Sequence, residues 1–420
     1  MKKLLLIILL SVLIVPAKAA YLLVPMDNTQ TNHLKAYGVA YWVLQREVEI
    51  SWLLNYRGGS YLIPYHEMFE RECKMRNVSY NVIADAQADA ILAEIADPGV
   101  NMDEMKLQKV PRVAVYAPKN NLPWDDAVTL VLTYAEIPYD VVYDDDVLQG
   151  VLPTYDWLHL HHEDFTGQYG KFWARYRNYP WYQEDVRTQE ATAQRWGFTK
   201  VSQLKLAVAK KIREFVAGGG YMFAMCSAPD SFDVALSAEG LDICDYMFDG
   251  DPIRSGDPQR LDYEQCFAFT DFKVSTNPQE YEISDIDVTQ GRMQRVREEN
   301  DYFLLFDFSA KWDPVPTMLT QCHERLVKGF MGQTTAFHKS TVKPSVVVLG
   351  DNAALDEDRY IHGNFGNGFW TFLGGHDPED YQHIVGDPPT ELDMHPNSAG
   401  YRLILNNILF PAAKKKEQKT

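Results

Sequence analysis

Five cysteines in 420 residues, none paired at C-x-x-C spacing, leave no thiolate metal site and no thioredoxin-type redox motif. The chain also lacks a P-loop, an H-E-x-x-H helix, a G-x-S-x-G elbow and a G-x-G-x-x-G turn between strand and helix. The glycines of Gly363-Asn364-Phe365-Gly366-Asn367-Gly368 read as a hairpin turn instead. Basic residues are scarce: 40 Lys and Arg face 58 Asp and Glu, a net charge of -18. Such a surface repels phosphate backbones and anionic lipid, so no nucleic-acid partner is expected. The one basic cluster, Lys414 to Lys416 with Lys419, falls in the last residues, 414–420, and reads as a solvated tail. Long apolar runs are missing as well. Leu4 to Val15 is the only candidate, and it is short of the about 20 residues that span a bilayer.

That short run has another reading. Lys2 and Lys3 precede it and Ala17-Lys18-Ala19 follows it, the pattern of an export signal over residues 1–19 with cleavage near Ala20. A secreted or periplasmic protein without a membrane span after cleavage is expected. In such a compartment five cysteines cannot all pair, and Cys244, Cys266 and Cys322 are close enough along the chain to supply one disulfide. The apolar fraction of 46% and nine tryptophans exclude general disorder.

Strand and helix patterns alternate through an N-terminal α/β segment, residues 20–105. The pattern predicts strands at Tyr21–Pro25, Glu49–Leu54 and Ser79–Ile83, and helices at Thr31–Arg46, Tyr65–Lys74 and Ala86–Ile95. A second α/β unit, 106–240, predicts strands at Val113–Ala117, Tyr139–Tyr143, Tyr155–Leu160 and Tyr221–Met225. Helices are expected at Asp125–Ala135 and Gln203–Val216, the latter closed by Gly218-Gly219-Gly220. Strands separated by helices imply parallel pairing and a covered, doubly wound sheet. Residues 241–340 read as a β-rich insertion, with strands at Phe267–Val274, Tyr281–Val288 and Tyr302–Phe308. Residues 341–413 complete the core through Ser345–Leu349, Gly368–Leu373 and a helix at Tyr401–Phe410.

Ligands of doubly wound sheets sit outside the carboxyl ends of the strands, and three reactive clusters fall at such ends. Cys226 follows the strand Tyr221–Met225, with Ala224 and Ala228 two residues to either side. Small neighbours suit a nucleophile on a tight strand-to-helix turn, and the helix start after it favours a thiolate. His376 follows Gly374-Gly375, and Asp377, Glu379 and Asp380 offer carboxylates to orient it as a base. The third cluster is His159-Leu160-His161-His162-Glu163-Asp164. Alternation sends His159 and His161 to one face; His161, His162, Glu163 and Asp164 are placed as substrate-binding residues. These groups could also ligate a divalent ion or move protons, but the spacing fits no strict metal motif, and no metal or cofactor is assigned. The aromatic loop Phe172–Tyr182 follows directly, and Trp173 and Trp181 are candidates to stack on a small-molecule or carbohydrate substrate. Packing of those rings beneath the loop is the alternative.

With these residues quoted, the chain resembles the class I glutamine amidotransferase-like superfamily, particularly its ThuA-like branch. The resemblance covers mainly Arg112–Leu236 and Ser345–Pro411. It is carried by the glycine turn before Tyr221–Met225, the elbow at Cys226, and the stretch Gly368 to Asp377 that leads into Gly-His. It implies a flavodoxin-like fold and, in catalytic members, a Cys-His-Glu triad and amide or acyl hydrolysis. Alanines stand here where amidotransferase elbows carry glycines, and Pro378 stands where their glutamate does. ThuA-like members generally lack the cysteine and are tied to sugar metabolism or sugar binding, which makes a sugar-binding or sugar-modifying protein, metal-dependent or not, the second expectation. A non-catalytic interaction protein is the third. Exported chains of this type also resemble proteins labelled asparagine synthetase B. The S-G-G-x-D-S segment and amino-terminal cysteine that synthetase chemistry needs are absent.

Overall fold

The computed structural model describes residues 19–119, 122–292 and 294–413. The expected signal segment, apart from its last residue, and the basic tail lie outside the described residues. Among the described residues no helix is long and apolar enough to cross a membrane.

The N-terminal segment forms a sheet of its own. Strands β1 (Ala19–Val24), β2 (Ile50–Leu54), β3 (Ser60–Pro64), β4 (Asn81–Ala84) and β5 (Asp103–Leu107) pair in the order β4-β1-β3-β2-β5. Every pairing is antiparallel. The helical and strand periods were legible here, but parallel pairing was not the outcome. Strands β3 and β5, unforeseen in the sequence, add β-β connections that a crossover topology does not have. The helix His33–Leu44 covers one face and is buried along most of its length. Its start is set by Asn32, whose side chain accepts from the Lys35 N–H at 2.8 Å. Gly38 lets this helix approach the next unit closely: a Cβ there would sit 1.9 Å from the Ala135 carbonyl oxygen.

The second sheet is mixed. Strands β6 (Val113–Tyr116), β7 (Asp140–Val142), β8 (Trp157–Leu160), β9 (Tyr221–Met225) and β15 (Gly368–Leu373) are parallel and lie in the order β7-β6-β8-β9-β15. Beyond β15 the sheet turns antiparallel through β14 (Glu357–Phe365), β13 (Val347–Asn352), β10 (Tyr302–Leu305) and β11 (Leu326–Lys328). The short β12 (Phe337–His338) pairs with β14. The turn between β14 and β15 is the hairpin that the glycine–asparagine run predicts. Side-chain alternation separates two cores. Val113, Val115, Phe223 and Met225 face the helices Ala127–Ala135 and Ala399–Leu409, whereas Ala114, Tyr116, Met222 and Ala224 face Val201–Ala217 and Ala228–Ser237.

Residues 241–340 contain less strand than the sequence suggests. Phe267–Val274 and Tyr281–Val288 make only isolated bridges. Over 267–269 a side chain stands in for a ladder: the buried Asp233 carboxylate accepts from the N–H groups of Phe267, Ala268 and Phe269 at 2.8–3.0 Å. The expected disulfide is also absent. All five cysteines are free, and the Cys244 and Cys266 thiols donate to different carbonyls, of Thr166 and Asp233, each at 3.3 Å.

Candidate metal centre

The carboxyl ends of β6, β8, β9 and β15 bring the predicted clusters to one rim, together with residues that the sequence did not mark. Cys226 follows β9 in the left-handed region, with φ of 54°, as a strand-to-helix elbow requires. Its N–H donates to the Gly375 carbonyl at 3.1 Å. Its sulfur, however, is sealed. Cys226 is 3% exposed, and its Sγ accepts from the Gln333 N–H at 3.3 Å. The Gln333 side chain is tied to the carbonyls of Gly170 and Tyr281, so the loop around it is fixed over the elbow. Burial pushes the Cys226 thiol up to about 11. Among the described residues no hydrogen bond joins its sulfur to His376. We expect Cys226 to stay unlabelled by a maleimide in native protein at neutral pH and to react once the chain is unfolded in guanidinium, as read by peptide mass mapping. Stoichiometric native labelling would contradict the sealed geometry.

The carboxylates expected to orient His376 are engaged elsewhere. Asp377 accepts from the Glu379 N–H, from Thr390 Oγ1 and from the Tyr401 hydroxyl, each at 2.8 Å. Glu379 pairs with His395 at 3.1 Å. Asp164 closes its own loop by accepting from Thr166 and Gly170, and Trp173 lies under the Arg177 guanidinium at 4.6 Å. Both side chains are thus turned to partners other than the histidines.

What surrounds His376 is a run of imidazoles. Its ring stacks on His161 at 4.3 Å and on His383 at 4.2 Å, and His161 lies 5.5 Å from His159 and 5.0 Å from His162. His159 and His161 share one face, as strand alternation predicts. Burial holds the imidazoles of His376 and His162 well below their ordinary range, hence neutral at physiological pH. The loop after β6 supplies the carboxylates Asp125 and Asp126, and the loop after β15 supplies Asp380 and His383.

Three of these atoms converge without partners. Asp125 Oδ1, His376 Nε2 and His383 Nε2 are buried and lack a hydrogen bond, and the three residues place ligand atoms within 4.8 Å of one another. The proton on His383 is located by its other nitrogen, since Nδ1 donates to Asp380 at 2.9 Å. The other nitrogen of the same ring, Nε2, faces the Asp125 carboxyl at 3.4 Å. Burial raises the Asp125 carboxyl, and a cation placed between the two atoms would satisfy both. The distance favours a metal over a proton. A charge-assisted N–H···O bond closes to about 2.7–2.9 Å, whereas bonds of about 2.0–2.1 Å to a tetrahedral ion put neighbouring ligand atoms about 3.3–3.4 Å apart. Asp380 is then the outer carboxylate that orients the ligating imidazole.

Beside this triad stand His162, Glu163 and an aromatic wall. The Trp124 indole N–H donates to His162 Nε2. Trp124 lies 5.2 Å from Phe172 and 5.1 Å from Trp181, so Trp181 reaches the site through a residue that no sequence pattern marks. Burial raises the Glu163 carboxyl to about 8, and Tyr143 donates to it at 3.4 Å. Asp125 and Asp126 look in sequence like an ordinary helix start. His383 was missed outright, although its i,i+3 spacing from Asp380 was available as a signal.

Fold and site together define a mixed α/β protein with a histidine–aspartate centre at the carboxyl ends of parallel strands. No family model matches the chain, and no curated protein matches it. Among solved structures it is similar in part to the GH42 beta-galactosidase Gan42B of G. stearothermophilus, at 12% identity and a TM-score of 0.28. That alignment covers 64% of this chain and 28% of the galactosidase, so the chain spans little more than a quarter of that protein. It is also similar to a cytoplasmic protein of Salmonella typhimurium, at 11% identity and a TM-score of 0.32, over 73% of this chain and 100% of that one.

Proposed function

We propose that this protein is a metal-dependent hydrolase acting on a small carbohydrate-type substrate, exported by its N-terminal segment and built on a flavodoxin-like unit of the glutamine amidotransferase-like kind. The observation that carries the reading is the set Asp125, His376 and His383, with three unpartnered buried atoms and Asp380 behind His383. Two imidazoles and one carboxylate suit zinc or another first-row divalent ion and leave coordination positions open for water and substrate. Asp125, His376 and His383 would hold such an ion, which would supply Lewis-acid activation of a water molecule. Hydrolysis then needs no thiol, which agrees with the sealed Cys226. Support for a sugar comes from Trp124, Phe172 and Trp181 beside His162, because aromatic faces stack on pyranose rings. Support for the flavodoxin-like unit comes from the parallel strand order, which in chain order is 2-1-3-4-5.

The test is hydrolysis of a panel of O-acetylated sugars and aryl glycosides by the full chain. Turnover is expected to vanish on treatment with dipicolinate and to return with zinc or manganese. Full turnover by chelator-treated, metal-free protein would remove the reading.

A further inference from the structure

Asp126 sits one residue beyond the first carboxylate, on the other side of the histidine run. One of its oxygens, Oδ1, caps the helix Ala127–Ala135 by accepting from the N–H groups of Val128 and Thr129 at 2.8 and 2.9 Å. The helix N-terminus favours the ionised carboxylate. Its second oxygen, Oδ2, is buried without a hydrogen bond, as are His159 Nε2 and His161 Nδ1. Both imidazoles place these nitrogens 3.3 Å from Oδ2. They are among the deepest side chains in the molecule, 0% exposed for His159 and 1% for His161.

The remaining nitrogens locate the protons. His159 Nδ1 lies 3.3 Å from the Phe223 carbonyl and His161 Nε2 lies 3.1 Å from the His376 carbonyl. A carbonyl only accepts, so each ring donates there and presents a lone pair to Asp126. Three buried atoms without hydrogen bonds thus meet. A single added proton would make one ring an imidazolium and draw that nitrogen to about 2.7–2.9 Å from the carboxylate, leaving the other longer. The two distances are equal, and they match the about 3.3 Å edge of a tetrahedron with bonds of about 2.0–2.1 Å.

We propose that Asp126, His159 and His161 hold a second divalent cation of the zinc class, buried beneath the first centre. It shares no ligand with Asp125, His376 and His383, and deepens the reading above by making the centre a two-ion one. Its ligands lie too deep for a substrate to reach, so the ion's work is structural. It fixes His161, whose carbonyl accepts from the Ala228 N–H at 2.9 Å and whose ring stacks on His376, and through that ring it sets the orientation of the first ion's ligand.

The experiment is zinc loading of the full chain, followed by elemental analysis and by diffraction at the zinc absorption edge. We expect about two zinc ions per chain and an anomalous peak between Asp126, His159 and His161. His159→Gln is expected to retain about one ion, at Asp125, His376 and His383. His383→Gln should instead keep the buried ion and lose the other. About one ion per chain in the unaltered protein, with the peak at Asp125 alone, would overturn the second site and leave the first intact. No bound zinc would overturn both. Because the anomalous map is read on unaltered protein, the test holds even if either variant folds poorly.

Discussion

A His376→Ala protein is expected to bind zinc more weakly by at least about a hundredfold and to lose hydrolysis in proportion. The bound follows from outer-shell effects: loss of a group that merely orients a ligand costs about 10–100-fold in metal affinity, and a ligand itself counts for more. Asp380→Asn, which keeps a partner for His383 but weakens the acceptor, should fall within that outer-shell range. Asp377→Asn supplies the contrast. Asp377 touches Glu379, Thr390 and Tyr401 rather than the imidazole, so zinc affinity should be unchanged even if stability drops. Calorimetric titration of chelator-stripped protein with zinc reads all three. If Asp377→Asn weakened zinc as much as His376→Ala did, the triad assignment would fail and the expectation that Asp377 serves His376 would return.

The largest stability effect is expected at Arg292, away from the centre. Arg292 donates to both oxygens of Asp301 at 2.7 Å and to Glu357 at 3.0 Å, and all three side chains are 1% exposed. Such a network is weak evidence of net stabilisation, but breaking it strands charge in a low dielectric. Arg292→Ala leaves two carboxylates with only Arg359, 3.9 Å from Asp301, and should cost about 3–5 kcal/mol. The loss is read as a lower midpoint in urea with unchanged slope. A second consequence is local. Arg359 donates to the Phe330 carbonyl at 2.6 Å, and its own carbonyl accepts from the Gly374 N–H at 2.8 Å. A Cβ on Gly375 would meet the Phe330 ring at 2.4 Å. Without Arg292, Asp301 and Glu357 draw Arg359 toward themselves and away from the Phe330 carbonyl, so the segment over Cys226 is freed and native thiol labelling at Cys226 should rise in Arg292→Ala. A variant as stable as the parent would show that Arg359 compensates for both acids.

Much of the parallel half was legible because its signals are local. Periods of two and of about 3.6, the Gly218-Gly219-Gly220 stop and the Gly363–Gly368 turn each act within a few residues. The left-handed elbow at Cys226 and the shared face of His159 and His161 belong to the same class. The antiparallel pairing of the first sheet was not legible, since β3 and β5 carry weak patterns and pairing direction depends on which edges meet. Of the strands expected in 241–340, Tyr302–Phe308 formed in part as β10, whereas the first backbone N–H groups of Phe267–Val274 went to a buried carboxylate on the helix Ala228–Ser237.

Catalytic roles were harder still. The sequence determined that thiol, imidazoles and carboxylates would gather at strand ends, because side-chain alternation and turn chemistry are short-range. Only the tertiary structure decided which of them face each other. His161 and His376 are 215 positions apart, and their meeting depends on β8, β9 and β15 lying side by side. The closure of Gln333 over Cys226, which takes the thiol out of reach, depends on a loop folding back from beyond the sheet. Asp125 and His383, unremarkable in the chain, meet at the rim only because the loops after β6 and β15 fold against each other.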